Sequence, residues 1–228
     1  MNKKLLTICC ARGRPELLNV MVDSFKLTSS FSDLVIGLDL DDPCLPKYRE
    51  MFPDLNLQVF NRKTTVQIIN KLMVKYPDYD YYSVSNDDMV YLTKDWDTKM
   101  CVKGCISSPQ EPNMIKKHGK AAVGFPCLMV VDSRLPKAIG WLMYPKLEHC
   151  CGDNFWYWIA DRLKILKYHS DVIIRHDHYL LVGKEKDDTY KRSNNMDRMK
   201  RDWKTHINWL KYEINDDLDK IRRVICQE

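Results

Sequence analysis

Three short apolar runs in the first half of the chain each stop at a cluster of charged or amide side chains. No other sequence feature narrows the fold as much. Lys4 to Cys10 runs into Ala11-Arg12-Gly13-Arg14-Pro15, Leu34 to Leu38 into Asp39-Leu40-Asp41-Asp42-Pro43, and Tyr81 to Val84 into Asn86-Asp87-Asp88. Apolar runs this short, ended by polar loops, read as buried strands. Helical spacing appears between them. Leu17, Leu18, Met21, Val22 and Phe25 follow Pro15, which suits a first helical turn. Val66, Ile69, Leu72 and Met73 follow the capping pair Thr64-Thr65, and that helix should end near Pro77. Leu57 to Phe60 makes a further short strand. Strands alternating with helices imply a parallel sheet covered on both faces. Ligands of such sheets sit beyond the carboxyl ends of the strands, where the polar clusters fall.

The second half reads as mixed. Trp96 to Val102 predicts a short helix, and Ala121 to Val131 one or two strands broken at Pro126. Asp153 to Leu166 predicts a buried, aromatic-rich helix, and Val172 to Ile174 a last strand running into His176-Asp177-His178. From about Asp188 the chain turns charged and helical. Met196, Met199, Trp203, Ile207, Leu210 and Ile214 keep an i, i+3/i+4 rhythm there, which predicts a packing stripe with Trp203 and Trp209 as anchors. The expected architecture is an α/β domain over 1–187 with a Rossmann-like, mostly parallel central sheet extended by antiparallel strands. A C-terminal helical extension over 188–228 should pack on it.

Composition excludes several classes. No apolar run approaches the ~20 residues of a membrane span, so no membrane insertion is expected. The run from Leu5 to Cys10 is cut short by Arg12 and Arg14, unlike a secretory signal. Nine cysteines without a CxxC pair read as free thiols of a reducing compartment, which predicts a cytoplasmic protein. The net charge of +5 is mild, but Lys191 to Lys211 concentrates basic residues against only Asp197 and Asp202.

Five features could carry chemistry. Carboxylates directly after a buried strand, as in Asn86-Asp87-Asp88, are costly unless they meet water or a cation. With a histidine they suit a divalent metal holding a diphosphate; the plainer alternative is a solvated turn. His176 and His178 flank Asp177 and could supply that metal ligand or touch phosphate, although strand alternation would aim only one of them into the site. Arg12 and Arg14 have the fork geometry that suits phosphate oxygens. Asp39 could accept bonds from a base or ribose, while Asp41-Asp42-Pro43 makes a plausible turn. Asp153 is either a helix cap or a general base aimed into the site.

Taken in order, LLTICCARGRPELL, DLVIGLDLDDP, NRKTTVQIINKL, DYYSVSNDDM, GWLMYPKLEHCCGDNFW and DVIIRHDHYLLVGKEKDDTYKR resemble the GT-A glycosyltransferases, especially family 2-like enzymes and short phage-encoded relatives. The resemblance covers about Lys4 to Arg192. It implies metal-dependent transfer of a sugar from a nucleotide diphosphate, with UDP-sugar the first donor expected, to an acceptor hydroxyl. Such enzymes use a D-x-D motif whose final carboxylate binds Mn²⁺ or Mg²⁺. Here the motif reads Asn86-Asp87-Asp88, so the resemblance implies Asp88 on the metal, Asn86 at the ribose and Asp87 on the donor side. It further implies Asp39 at the nucleobase, Arg12 and Arg14 in the donor loop, Asn70 on the helix below the donor, and Lys184 on phosphate from a mobile loop. His176 or His178 would complete the metal site. Asp153 matches the catalytic base, with Gly152-Asp153 standing where the family has Glu-Asp. The acceptor stays open between a hypermodified DNA base, which the basic segment would suit, and a glycan. Two rivals are a nucleotidyltransferase on a related fold, which should carry a richer Gly-Lys phosphate loop, and a nucleic-acid-binding module resting on Lys191 to Lys211.

Overall fold

Strand β1 (Leu5–Cys10) has no polar face: Leu6 and Ile8 enter one buried cluster, Leu5 and Cys9 another, as the two-residue period of a strand requires. A strand buried on both sides needs helices on both sides. The computed structural model, which describes residues 4–61, 63–183, 185–193 and 195–226, supplies them. Helix α1 (Pro15–Thr28), started by its proline, and α2 (Leu45–Met51) cover one face, and α3 (Thr65–Lys75) the other. Thr64 and Gln67 close a reciprocal capping box at the start of α3, with Gln67 N donating to Thr64 Oγ1 at 3.2 Å and Thr64 N to Gln67 Oε1 at 3.1 Å. Strands β2 (Asp33–Asp39), β3 (Asn56–Phe60) and β4 (Tyr81–Asn86) join β1 in the order β3-β2-β1-β4, all parallel.

The sheet then changes character. After β5 (Met89–Tyr91) and α4 (Trp96–Met100) come β6 (Ile106–Gln110), α5 (Pro112–His118), a 3₁₀ turn at Gly119–Ala122, β7 (Met129–Asp132) and α6 (Arg134–Ile139). Next are α7 (Gly152–Leu163), β8 (Leu166–His176), α8 (Tyr179–Val182), α9 (Asp188–Ser193), α10 (Met196–Tyr212) and α11 (Ile214–Ile225). The eight strands run β3-β2-β1-β4-β7-β6-β8-β5. β7 is antiparallel to β4 and β6, β8 is parallel to β6, and β5 closes the edge antiparallel to β8. The expected mostly parallel sheet with antiparallel extension is therefore present.

Three expectations need correction. Of Ala121 to Val131 only the end from Met129 is strand, β7, while Ala121 and Ala122 belong to the 3₁₀ turn and Pro126 lies in an irregular approach. Strand β6 was not legible, because Ile-Ser-Ser-Pro-Gln shows no apolar run. Its serines are buried polar groups, Ser107 Oγ lying 3.2 Å from His169 Nε2 and Ser108 Oγ donating to Phe125 O at 3.1 Å. The predicted packing stripe of α10 is the third. Met196, Met199, Trp203 and Ile207 are exposed, whereas Leu210, Ile214 and the expected anchor Trp209 pack on the core, and Asp202 and His206 complete the docking face.

That docking depends on polar anchors as much as on apolar area. Trp209 packs on Phe155 with ring centroids 4.5 Å apart, and its indole N–H donates to Asp217 Oδ2 at 2.8 Å. Asp202 is buried and accepts the backbone N–H groups of Glu148, His149 and Cys150 at 3.0, 3.0 and 2.8 Å. One carboxylate thus fixes the 148–150 loop against α10. Truncating it leaves three buried donors without partners. Asp202→Ala should lose on the order of 3 kcal/mol of stability, the range for buried bonds to a charged acceptor. Urea denaturation would read this, and faster amide exchange at 148–150 should accompany it. An unchanged midpoint would mean the loop is held by something else.

Candidate active site

The register of the sheet brings the polar clusters together. Cys10 of β1 pairs with Gly37 of β2 and with Asn86 of β4, so the loops after these three strands leave one edge of the sheet side by side. They form one wall of a cleft of about 610 Å³. The loop after β1 is clamped from several directions. Gly13 N donates to Asp42 Oδ2 at 2.9 Å, Arg14 N to Tyr48 Oη at 2.9 Å, and Thr189 Oγ1 donates to Arg12 O at 2.8 Å. Gly13 has φ +69°, a conformation that disfavours any residue with a Cβ. Asp42 also accepts Cys44 N at 2.9 Å, so it is the turn residue among the three acids after β2.

Arg14 reaches across to β4's loop and grips Asp87 with two bonds, Nε to Oδ2 at 3.0 Å and Nη2 to Oδ1 at 2.6 Å. Asp87 is buried, and burial pushes its carboxyl upward against the pull of Arg14. Asp87 lines the cleft, and both of its carboxylate oxygens are engaged by the arginine. Arg14 Nη1 is buried without a hydrogen bond, 3.7 Å from Asp187, and its guanidinium carbon lies 4.6 Å from the Tyr190 ring centroid. Arg12 pairs with Asp39 Oδ2 at 2.9 Å and with Asp41. Asp39 keeps its place on the cleft wall, with Lys63 N donating to Oδ1 at 3.3 Å.

Asp88 turns the other way, toward the cleft. The β5–β8 ladder sets His176 opposite Met89, one residue beyond Asp88, and Asp177 N donates to Asp88 O at 2.9 Å. His176 Nε2 consequently stands 3.1 Å from Asp88 Oδ1, off the hydrogen-bond direction, so both atoms are buried without a well-formed hydrogen bond. Burial works against charge on Asp88, but His176, the Tyr190 hydroxyl and Arg14 outweigh it and hold the carboxyl well below the usual range. Tyr190 Oη donates to Asp88 Oδ2. Behind the pair, Glu111 Oε1 accepts His176 N at 2.9 Å and Asn113 Nδ2 donates to His176 O at 3.0 Å. His178 lies outside the strand. Its Nδ1 accepts Leu180 N at 3.3 Å, its ring centroid is 5.3 Å from that of His176, and burial lowers its imidazole to about 4. Of the two histidines, His176 is the one beside Asp88.

The opposite wall comes from α7. Asp153 is in its first turn, where its Oδ1 accepts Asn154 N at 3.0 Å, and it lines the cleft with burial raising its carboxyl pKa. The N-cap position itself is Cys151, at φ 68°, so Asp153 is not the capping residue. A Cβ at Gly152 would lie 1.9 Å from Met143 Cε, so any larger residue there requires that flexible side chain to move. Asn86 is exposed at the end of β4 on the cleft rim. Asn70 does not line the cleft. Its Oδ1 accepts Leu142 N and Met143 N at 2.9 Å each, and its Nδ2 donates to Met143 O at 2.6 Å, so it fixes the 142–143 turn from behind. Lys184 lies outside the described residues. Tyr190, Glu111 and Thr189 were missed as site residues. Only the Asp188-x-Tyr190 pattern hinted at the first; nothing local marks the other two.

Asp88 Oδ1 and His176 Nε2 fit a divalent cation, since each is a buried donor lacking a proper partner. Among the described residues no group of three or more His, Cys, Asp or Glu side chains is gathered as a complete metal cage. The remaining ligands would then come from phosphate oxygens and water, as is usual for Mg²⁺.

No protein-family model matches the chain, and no curated protein matches it. Solved structures do. Mannosyltransferase PcManGT from Pyrobaculum calidifontis, in complex with GDP-Man and Mn²⁺, aligns with a TM-score of 0.61 at 9% identity, over 99% of this chain and 75% of that one. TarS 1–349 from S. aureus, in complex with UDP, aligns at 0.54 and 10% identity over 75% of this chain and 57% of that one. GalNAc-T7 with UDP, GalNAc and Mn²⁺ aligns at 0.55 and 11% identity over 76% of this chain and 43% of that one. This chain therefore spans less than two thirds of the latter two. The likeness establishes the fold: a GT-A-type α/β domain with a mixed eight-stranded sheet and C-terminal helices.

Proposed function

We propose that this protein is a metal-dependent glycosyltransferase that moves a sugar from a nucleoside diphosphate to an acceptor hydroxyl. The observation that carries the reading is the pair Asp88 Oδ1 and His176 Nε2, both buried, 3.1 Å apart, and imperfectly satisfied on the wall of a cleft that also holds Arg14, Asp39 and Asp153. The GT-A fold raises the prior but does not carry the site, since fold and function separate readily. PcManGT and GalNAc-T7 were solved with Mn²⁺, and the three neighbours with GDP-Man or UDP, which suggests the same ligand class here.

In this reading Asp88 and His176 hold Mn²⁺ or Mg²⁺, which when bound supplies positive charge to the departing diphosphate. Asp39 meets the base, with UDP-sugar the first donor to try, and Asn86 the ribose. Arg12 stays on the nucleotide side, oriented by Asp39 and Asp41. Arg14, fixed by Asp87, offers phosphate oxygen its Nη1, which makes no hydrogen bond and only a 3.7 Å ion pair with Asp187. Asp153 takes the proton of the acceptor hydroxyl as the new glycosidic oxygen–carbon bond forms. Its raised pKa makes it a better proton acceptor than an exposed aspartate. The Tyr190 hydroxyl holds the other Asp88 oxygen, Oδ2, and so fixes the carboxylate with Oδ1 toward His176.

Two outcomes test this. Mn²⁺ together with UDP or GDP should raise the melting temperature more than the sum of either alone. Asp88→Asn should remove that synergy while leaving the unliganded melting temperature within a few degrees; additive shifts in the wild type would contradict a shared site. Asp153→Asn should keep nucleotide binding and lose turnover by about 10²–10⁴-fold, the usual worth of a general base. Because the base must be ionised, the wild-type rate should also fall as pH drops below its upward-shifted pKa. Near-wild-type turnover in Asp153→Asn would move the base elsewhere.

A further inference from the structure

The exposed side of α10 is unusual for a solvated helix. Met196, Met199, Trp203 and Ile207 are 63%, 39%, 53% and 44% exposed. At 3.6 residues per turn these four fall within about 80° of the helix circumference, as a stripe about 17 Å long. The buried seam of Asp202, His206 and Trp209 lies on one side of the stripe. On the other side Lys200, Lys204 and Lys211, all exposed, form a row within about 40° of one another. Of the acids of the helix, only the exposed Asp197 borders that row, near Lys200. Asp202 is buried under three backbone amides, and Asp197 sits in the first turn. Arg198 and Arg201 are already engaged with Glu148.

We infer that α10 docks this protein on an anionic membrane surface. An interfacial helix buries an apolar face at the boundary between headgroups and acyl chains and keeps basic residues over the headgroups. Tryptophan favours that depth, and each lysine near an anionic leaflet adds about a factor of five in affinity. The charge pattern selects among occupants. Met196, Met199 and Ile207 offer neither hydrogen bonds to base edges nor stacking faces, so three of the four stripe residues have nothing to give a nucleic acid. An antiparallel second copy would set the two lysine rows side by side. No helix among the described residues is long and apolar enough to cross a membrane, so the association is peripheral. The docking face adjoins the cleft. Met199, Lys200 and Trp203 share a shallow hollow with Cys150 and Cys151, and both cysteines also line the main cleft.

Vesicle co-sedimentation with the full chain tests this without reference to catalysis. The protein should pellet with phosphatidylcholine vesicles containing phosphatidylserine, pellet much less with phosphatidylcholine alone, and be released by added salt. Trp203→Ser/Ile207→Ser and Lys200→Glu/Lys204→Glu should each weaken the association about tenfold or more. Both pairs are exposed, so the melting temperature should stay unchanged, which separates lost docking from lost folding. Failure to bind the anionic vesicles, or equal binding by the variants, would overturn the inference. So would sedimentation velocity showing a dimer abolished by Trp203→Ser, or single-stranded oligonucleotide binding lost in the same variant while vesicles are ignored.

Discussion

The site depends on the buried pair between Arg14 and Asp87. It joins the loop after β1 to the loop after β4 by two bonds of fixed direction, with Asp87 buried and Arg14 mostly covered. Buried ion pairs are weak contributors to net stability, because desolvation offsets most of their attraction, yet removing one partner costs about 3–5 kcal/mol. The value of this one lies in geometry. With Asp87 turned inward to the arginine, Asp88 must turn outward, and the β5–β8 register then delivers His176 to the same place.

Buried carboxylates do two different jobs in this molecule, and their partners tell them apart. Asp97 accepts the backbone N–H groups of Ser30, Phe31 and Ser32, Asp202 those of the 148–150 loop, and Glu111 those of Asn113, Met114 and His176. Each is satisfied by backbone and works as a staple. Asp88 and Asp153 differ. Asp88 faces ring and hydroxyl groups and has an oxygen without a proper hydrogen bond, while Asp153, half-buried on the cleft wall, has only Asn154 N as a hydrogen-bond partner. Incomplete satisfaction inside a cleft is where chemistry is expected, because a group already saturated by the fold has nothing left for a ligand.

Much of this was legible before the structure. The parallel half of the sheet follows from apolar runs bounded by polar loops, and the assembly of Arg12, Asp39 and Asp88 at one edge follows from all three ending parallel strands. What stayed hidden had no local signature. Strand β6 buries serines whose partners are far away in sequence, and no periodicity reports that. Asn70 sits at a plausible position for a donor contact, yet its amide is used up on the 142–143 turn, a fact set by tertiary packing. The rhythm of α10 was real, but its first four members, Met196 to Ile207, lie on the exposed side while Leu210 and Ile214 pack on the core. Periodicity reveals that a helix has a face and leaves open which neighbour meets it. Here the true seam is polar, Asp202 and His206 beside Trp209, and an apolar template passes over it.

The central claim is that Asp88 and His176 together hold a metal that carries a diphosphate. Anomalous diffraction at the manganese edge, from crystals grown with Mn²⁺ and a nucleoside diphosphate, addresses it directly. The account predicts a single strong peak bonded to both Asp88 Oδ1 and His176 Nε2 and to oxygens of the diphosphate. An ordered nucleotide in the cleft with manganese absent from that pair, or bound elsewhere, would contradict it.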